Sequence, residues 1–130
     1  MNTPATSYRR SFPYGIAACE DKPYDYPYQW SYPNTWPPVC FYTVMGLARY
    51  GYGEEAERIA VKWMKAVTES FKTTGNLWEK YNAETGTTDV SNEYEMPAML
   101  GWTAGTFICL DDYLAGEMQP DPLPSEYMSY

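Results

Sequence analysis

Three glutamates stand in aromatic surroundings: Glu79 in Leu77-Trp78-Glu79-Lys80-Tyr81, and Glu93 with Glu95 in Asn92-Glu93-Tyr94-Glu95-Met96-Pro97. The sequence contains no histidine, so any proton transfer falls to carboxylates. That rules out a Ser-His-Asp triad, a Cys-His pair, a histidine metal site and a histidine proton shuttle. A carboxylate among aromatic rings at the end of a helix suits a general acid or base of glycoside hydrolysis, a reaction that needs two carboxyl groups flanking the scissile bond. The plain alternative is a loop glutamate paired with a lysine. Asp111-Asp112 read as solvated. Gly51-Tyr52-Gly53 is a helix-helix turn, because it lacks both the strand and the Lys-Ser/Thr of a phosphate loop.

A second group is the aromatic and amide run Tyr28-Gln29-Trp30-Ser31-Tyr32-Pro33-Asn34-Thr35-Trp36. Flat rings cover the apolar faces of a pyranose, and amides meet its hydroxyls as donor and acceptor together. The same run also reads as an aromatic mini-core anchoring the first helix, and composition does not choose between the two. Aromatic residues are 18% of the chain, with 14 Tyr and 5 Trp, and the excess lies before residue 53.

Helices must position these groups. Residues 1–36 are rich in Pro and Tyr and read as extended chain and turns, packed on something instead of floating as a linker. A first helix is expected from about Trp36, with Pro37 and Pro38 in a first turn where their missing N–H groups cost nothing. The run Val39–Ala48 is apolar almost all round, so this helix is expected to be buried on most faces. A second helix is expected over Glu54–Lys72. Its apolar stripe is Ala56, Ile59, Ala60, Trp63, Met64, Val67 and Phe71, with Arg58, Lys62, Lys65 and Glu69 opposite. The short Gly-rich connection makes the two an antiparallel hairpin, inner and outer. Residues 75–97 form a polar connection long enough to be functional or disordered. A third, inner helix is expected over Trp102–Leu114, closed by Gly116, before a Pro-containing tail, 117–130, that is frayed or crosses the helices. No strand pattern of useful length appears. The fold class is all-α: helical hairpins cut short, within a unit spanning 37–116.

Charge narrows the partners. Nine Lys+Arg against 17 Asp+Glu give a formal net charge of −8, so no basic patch is available for nucleic acid or an anionic membrane surface. Cys19, Cys40 and Cys109 are too widely spaced for a zinc site or disulfide framework. They read as small buried residues in a reduced compartment. With no signal peptide visible, a cytoplasmic location is favoured. No metal or organic cofactor is implied, and no acidic cluster has EF-hand spacing.

Four motifs occur in a familiar order. Gln29-Trp30-Ser31-Tyr32-Pro33-Asn34-Thr35-Trp36-Pro37-Pro38 resembles the Q-W-D-x-P-x-[GA]-W-x-P signature of the trehalases, glycoside hydrolase family 37. Gly46-Leu47-Ala48-Arg49-Tyr50-Gly51-Tyr52 resembles that family's inner helix and turn. Leu77-Trp78-Glu79-Lys80-Tyr81 resembles its L-x-E-K-Y segment. Glu93-Tyr94 followed by Gly101-Trp102-Thr103-Ala104-Gly105 resembles E-Y-P-x-x-x-G-F-G-W-T-N-G. The resemblance covers about residues 26–115. It implies an (α/α)6 barrel of six helical hairpins, of which this chain looks like the C-terminal quarter, and inverting hydrolysis of α,α-trehalose to two glucose units. It makes Glu79 the general base that activates water. Glu93 becomes part of a lid over the sugar, and Gln29, Trp30, Asn34 and Trp36 become pocket residues.

The sequence departs from the pattern in three places. Ser31 stands where the signature has aspartate. The E-Y-P segment reads Glu93-Tyr94-Glu95-Met96-Pro97, and the glycine-rich run before it is Thr87-Thr88-Asp89-Val90-Ser91-Asn92. The lid is therefore expected to be reshaped, and a related α-glucoside stays open as substrate. The family's general acid is an aspartate from an upstream part of the barrel, and nothing here corresponds to it. Twelve helices with their connections need roughly 160–230 residues, so 130 residues do not close the barrel. The isolated chain is expected to be inactive, with the missing N-terminal part of the barrel as a partner. The alternative function is a non-catalytic helical module that binds carbohydrate or protein through its first 36 residues.

Overall fold

The computed structural model describes residues 12–23, 25–99 and 101–127. The reading of residues 1–11 as extended chain lies outside the described residues. Three helices dominate: α1 (Pro37–Arg49), α2 (Gly53–Thr74) and α3 (Gly101–Ala115). Two short strands, β1 (Asn34–Thr35) and β2 (Tyr81–Asn82), pair antiparallel, with Asn34 opposite Asn82 and Thr35 opposite Tyr81.

The helix boundaries follow from local chemistry. Pro37 and Pro38 open α1 behind Trp36, which has extended backbone and makes no side-chain cap; with no N–H of their own, the prolines leave fewer donors to satisfy. Glu54 and Glu55 sit in the first turn of α2, at the positive end of its dipole. Gly75 ends it in the left-handed region at φ 73°, its N–H bonded to Phe71 O at 2.8 Å. That conformation is cheap only for glycine.

The core lies where the three helices meet. Cys40 and Val44 of α1 pack with Ala56, Ala60, Trp63, Ala66 and Val67 of α2 and with Leu110 and Tyr113 of α3. Alanines at positions 56, 60 and 66 let the helices approach closely, and Trp63 fills the space, its ring edge-on to Tyr81 with centroids 6.4 Å apart. Burying one such large side chain contributes about 1.5–3 kcal/mol. Buried Thr103, Thr106, Leu110 and Tyr113 recur every three or four residues along α3, which gives that helix a single inward stripe.

Three expectations need correction. In α1 only Pro37, Cys40 and Val44 are buried, and Tyr42 is 73% exposed; α2 and α3 cover one side of the helix, and its remaining apolar residues are half-buried. In α2, Phe71 is 50% exposed although it belongs to the apolar stripe. The reason is length: α2 has 22 residues and α1 has 13, so the last part of α2, about two turns, overhangs its partner. Finally, Cys40 is buried and Cys109 half-buried, but Cys19 is exposed, because the chain turns outward after Ala18 N bonds Asn34 O.

The long polar connection is folded. Asn82 organises it: its Oδ1 accepts from the N–H groups of Glu84 and Thr85, and its Nδ2 donates to Asp89 O at 2.8 Å. This is the local turn chemistry that asparagine favours. Ser70 of α2 donates to Gly86 O, and Thr103 of α3 donates to Trp78 O at 2.6 Å. The start of the tail is docked: Arg49 Nε donates to Asp121 O at 3.0 Å, and Met118 packs on the core. Among the described residues no helix is long and apolar enough to cross a membrane.

Candidate active site

The β1–β2 pair brings the aromatic entry segment against the loop that carries Glu79. Asn34 and Asn82 face each other across it, and Ala83 N donates to Pro33 O at 2.8 Å. A third strand of chain, residues 91–94, closes the cluster. Asn34 stitches it on: its Nδ2 donates to Gln29 O and to Ser91 O, both at 2.8 Å, and its Oδ1 accepts from Ser91 N at 3.2 Å. Gln29 and Glu93 then bond reciprocally. Gln29 N donates to Glu93 Oε2, and Glu93 N donates to Gln29 Oε1, each at 3.0 Å. Residues 64 apart in sequence are thereby locked in register.

Glu79 sits on the floor of this cluster, 6% exposed. Tyr94 donates its hydroxyl to Oε1 at 2.6 Å, and Lys80 Nζ donates to Oε2 at 3.2 Å. Lys80 is fully buried. Its ammonium also donates to Asn92 Oδ1 at 2.6 Å and lies 5.0 Å from the Trp36 ring centre and 5.5 Å from that of Tyr94. A buried charge needs such partners, since desolvation alone costs several kcal/mol. Burial holds the Lys80 ammonium below the usual lysine range, and its bond to Glu79 pulls the other way. The Tyr94 phenol is pushed up, first by its hydrogen bond to Glu79 and then by burial; the charges of Glu79 and Glu93 add to the shift and the Gln29 amide opposes it.

The rings form a wall beside the carboxylate. Trp30 stacks on Trp36 at 4.0 Å with planes 13° apart, and Trp102 meets Trp36 edge-on at 5.6 Å. Trp36 is buried and its Nε1 donates to Gln29 O at 3.1 Å. Trp30, Tyr28, Tyr94 and Trp102 keep exposed surface. Beside them a polar hollow of about 370 Å³ is lined by Lys22, Asp25, Tyr26, Ser31, Tyr32 and Ser91.

The structure thus brings Gln29, Trp30, Asn34, Trp36, Glu79 and Glu93 into one cluster. Of these, Gln29, Asn34, Trp36 and Glu79 are buried, while Trp30 and Glu93 are exposed. Glu79 is paired with a lysine, and it also lies among aromatic residues. In the aromatic run Trp36 is buried in a mini-core and Trp30 stands at the surface. Sequence reasoning missed Lys80, Asn92 and Tyr94. The available signal was adjacency, since each directly neighbours a singled-out glutamate. Glu95 is exposed and has no place in the cluster, and among the described residues no group of three Cys, Asp or Glu comes together to hold a metal ion.

The sequence matches a known family. The family model for Trehalase matches residues 2–114. The chain belongs to the trehalase family. Among curated relatives, it is 39% identical over 84 residues to the Trehalase of Tenebrio molitor, covering 62% of this chain and 15% of that protein. It is 37% identical over 90 residues to a "Probable trehalase" of Oryza sativa subsp. japonica, covering 65% of this chain and 16% of that protein. It is 47% identical over 55 residues to the Cytosolic neutral trehalase of Emericella nidulans, covering 42% of this chain and 7% of that protein. The chain therefore spans about a sixth or less of the length of these relatives. Its all-α fold of three helices is part of the (α/α)6 barrel of the family.

Proposed function

We propose that this segment supplies the general base of an inverting glycoside hydrolase that cleaves the α-glucosidic bond of trehalose or a related α-glucoside. The observation that supports this best is the Glu79 carboxylate, held by Tyr94 and Lys80 beside an aromatic wall. A carboxylate offers about four lone-pair positions, so one bond to each oxygen leaves room for a water. In the proposed step Glu79 takes a proton from that water as its oxygen bonds to the anomeric carbon. The bond from that carbon to the glycosidic oxygen breaks, and the departing oxygen is protonated by an acid from another part of the barrel. Acid and base stand roughly 6.5–9.5 Å apart in such sites.

The remaining residues divide by exposure. Trp30 and Glu93 carry surface for the sugar, with Glu93 in the lid. Gln29, Asn34 and Trp36 form the wall behind them, their polar atoms tying segment 29–36 to segment 91–93. Residues 1–36 act as the sugar-site segment, 37–116 as hairpin, base loop and inner helix, and 117–130 as a crossing tail.

The test is the anomeric outcome. With the full-length enzyme, trehalose hydrolysis followed by proton NMR before mutarotation should give α- and β-glucose in equal amounts. Two α-glucose molecules per trehalose would mean retention and would remove Glu79 from the base role.

A further inference from the structure

Lys80 is an unusual residue to find with no exposed surface. Lysine is almost never fully buried unless paired, and a buried ion pair is weak evidence for stability, because well-packed apolar residues often do as well. Its surroundings suggest another purpose. The ammonium touches the candidate base at 3.2 Å and, at 2.6 Å, the side chain of Asn92. Asn92 directly precedes Glu93 and Tyr94. The rings of Trp36 and Tyr94 flank the charge at 5.0 and 5.5 Å, within cation–π range. One cation therefore holds the base, the loop that covers it and the aromatic wall at once.

We propose that Lys80 is a positioning residue that fixes the Glu79 carboxylate and, through Asn92, the loop that lays Tyr94 and Glu93 over it. This rests on the base assignment of Glu79. Among the described residues, the ammonium's charged partner is Glu79, and the phenol of Tyr94 bonds the other carboxylate oxygen. Removing the cation leaves the Glu79 carboxylate held by Tyr94 alone. It also frees the carboxylate to turn away from its water, and misplacement of a catalytic group by about 1 Å can cost on the order of 100-fold in rate.

The experiment compares Lys80→Met, Lys80→Arg and Glu79→Gln in the full-length protein, reading kcat and KM for trehalose hydrolysis. Lys80→Met should lower kcat on the order of 100-fold and leave KM within about threefold. Lys80→Arg, which keeps the cation, should recover most of kcat. If Lys80→Met does not fold, Lys80→Gln, one atom shorter but still a donor for Asn92, is read the same way. An unchanged kcat in Lys80→Met, or Lys80→Arg as impaired as Lys80→Met, overturns the proposal while Glu79→Gln still abolishes turnover. Full activity in Glu79→Gln overturns the base assignment and this inference with it.

Discussion

Glu79 is held by two partners of different kind, an ammonium on one oxygen and a phenol on the other. Tyr81, two residues on, faces the core and shows how tightly the loop is built in. Its hydroxyl accepts from Trp78 N at 3.0 Å, and burial pushes its phenol up to about 12 from 10.0. The raised value means that folding favours the neutral phenol. Its stabilising effect is complete below pH 10 and is lost as pH rises toward about 12. Two pKa units correspond to about 3 kcal/mol. Burial likewise pushes the Cys40 thiol up from 9.0 to about 11, so its effect is lost over a lower, overlapping window. Tyr81→Phe should therefore lose stability less steeply above pH 10, while giving up about 1 kcal/mol at neutral pH for the lost hydrogen bond. Denaturant melts from pH 8 to 11.5 check this, and an unchanged slope in the variant contradicts it. At this scale the glutamates were legible because the absence of histidine left few candidates. Lys80 was not, because nothing in its type announces that a lysine will be buried.

The helices were legible because periodicity and Gly/Pro punctuation act locally. The boundaries at Pro37, Gly53 and Gly75 follow from residues within one turn of them. The β1–β2 pair was not legible, since two residues per strand carry no alternation and the pairing joins residues as far apart as Asn34 and Asn82. The same holds for the reciprocal bonds of Gln29 with Glu93. Gly86 illustrates how such non-local packing constrains the loop. It sits at φ 69°, and a Cβ there would lie 2.5 Å from the Tyr14 ring. Tyr14 N in turn donates to Ala83 O at 3.0 Å. Gly86→Ala should cost about 1–3 kcal/mol from overpacking, and part of that loss should be relieved in a Tyr14→Ala background. Strict additivity of the two changes in equilibrium unfolding would contradict the contact.

At the scale of the whole fold, the described residues leave part of their apolar surface uncovered. A groove of about 420 Å³ between α2 and α3 is lined by Val67, Phe71, Leu77, Phe107 and Ile108, and Tyr42 stands exposed on α1. Composition foretold a packed core but not which apolar faces it would leave open, because that depends on how far each helix overlaps its neighbours. Inverting hydrolysis needs an acid as well as a base, and the resemblance places that acid upstream of these motifs. The 130-residue chain alone should therefore release no glucose from trehalose in a coupled assay, and measurable release would contradict this. The central claim is the role of Glu79, and the most direct measurement is turnover of Glu79→Gln in the full-length enzyme. A general base contributes about 100- to 10,000-fold. The account predicts a fall in kcat of that size with trehalose affinity nearly unchanged; a loss of less than about tenfold would contradict it.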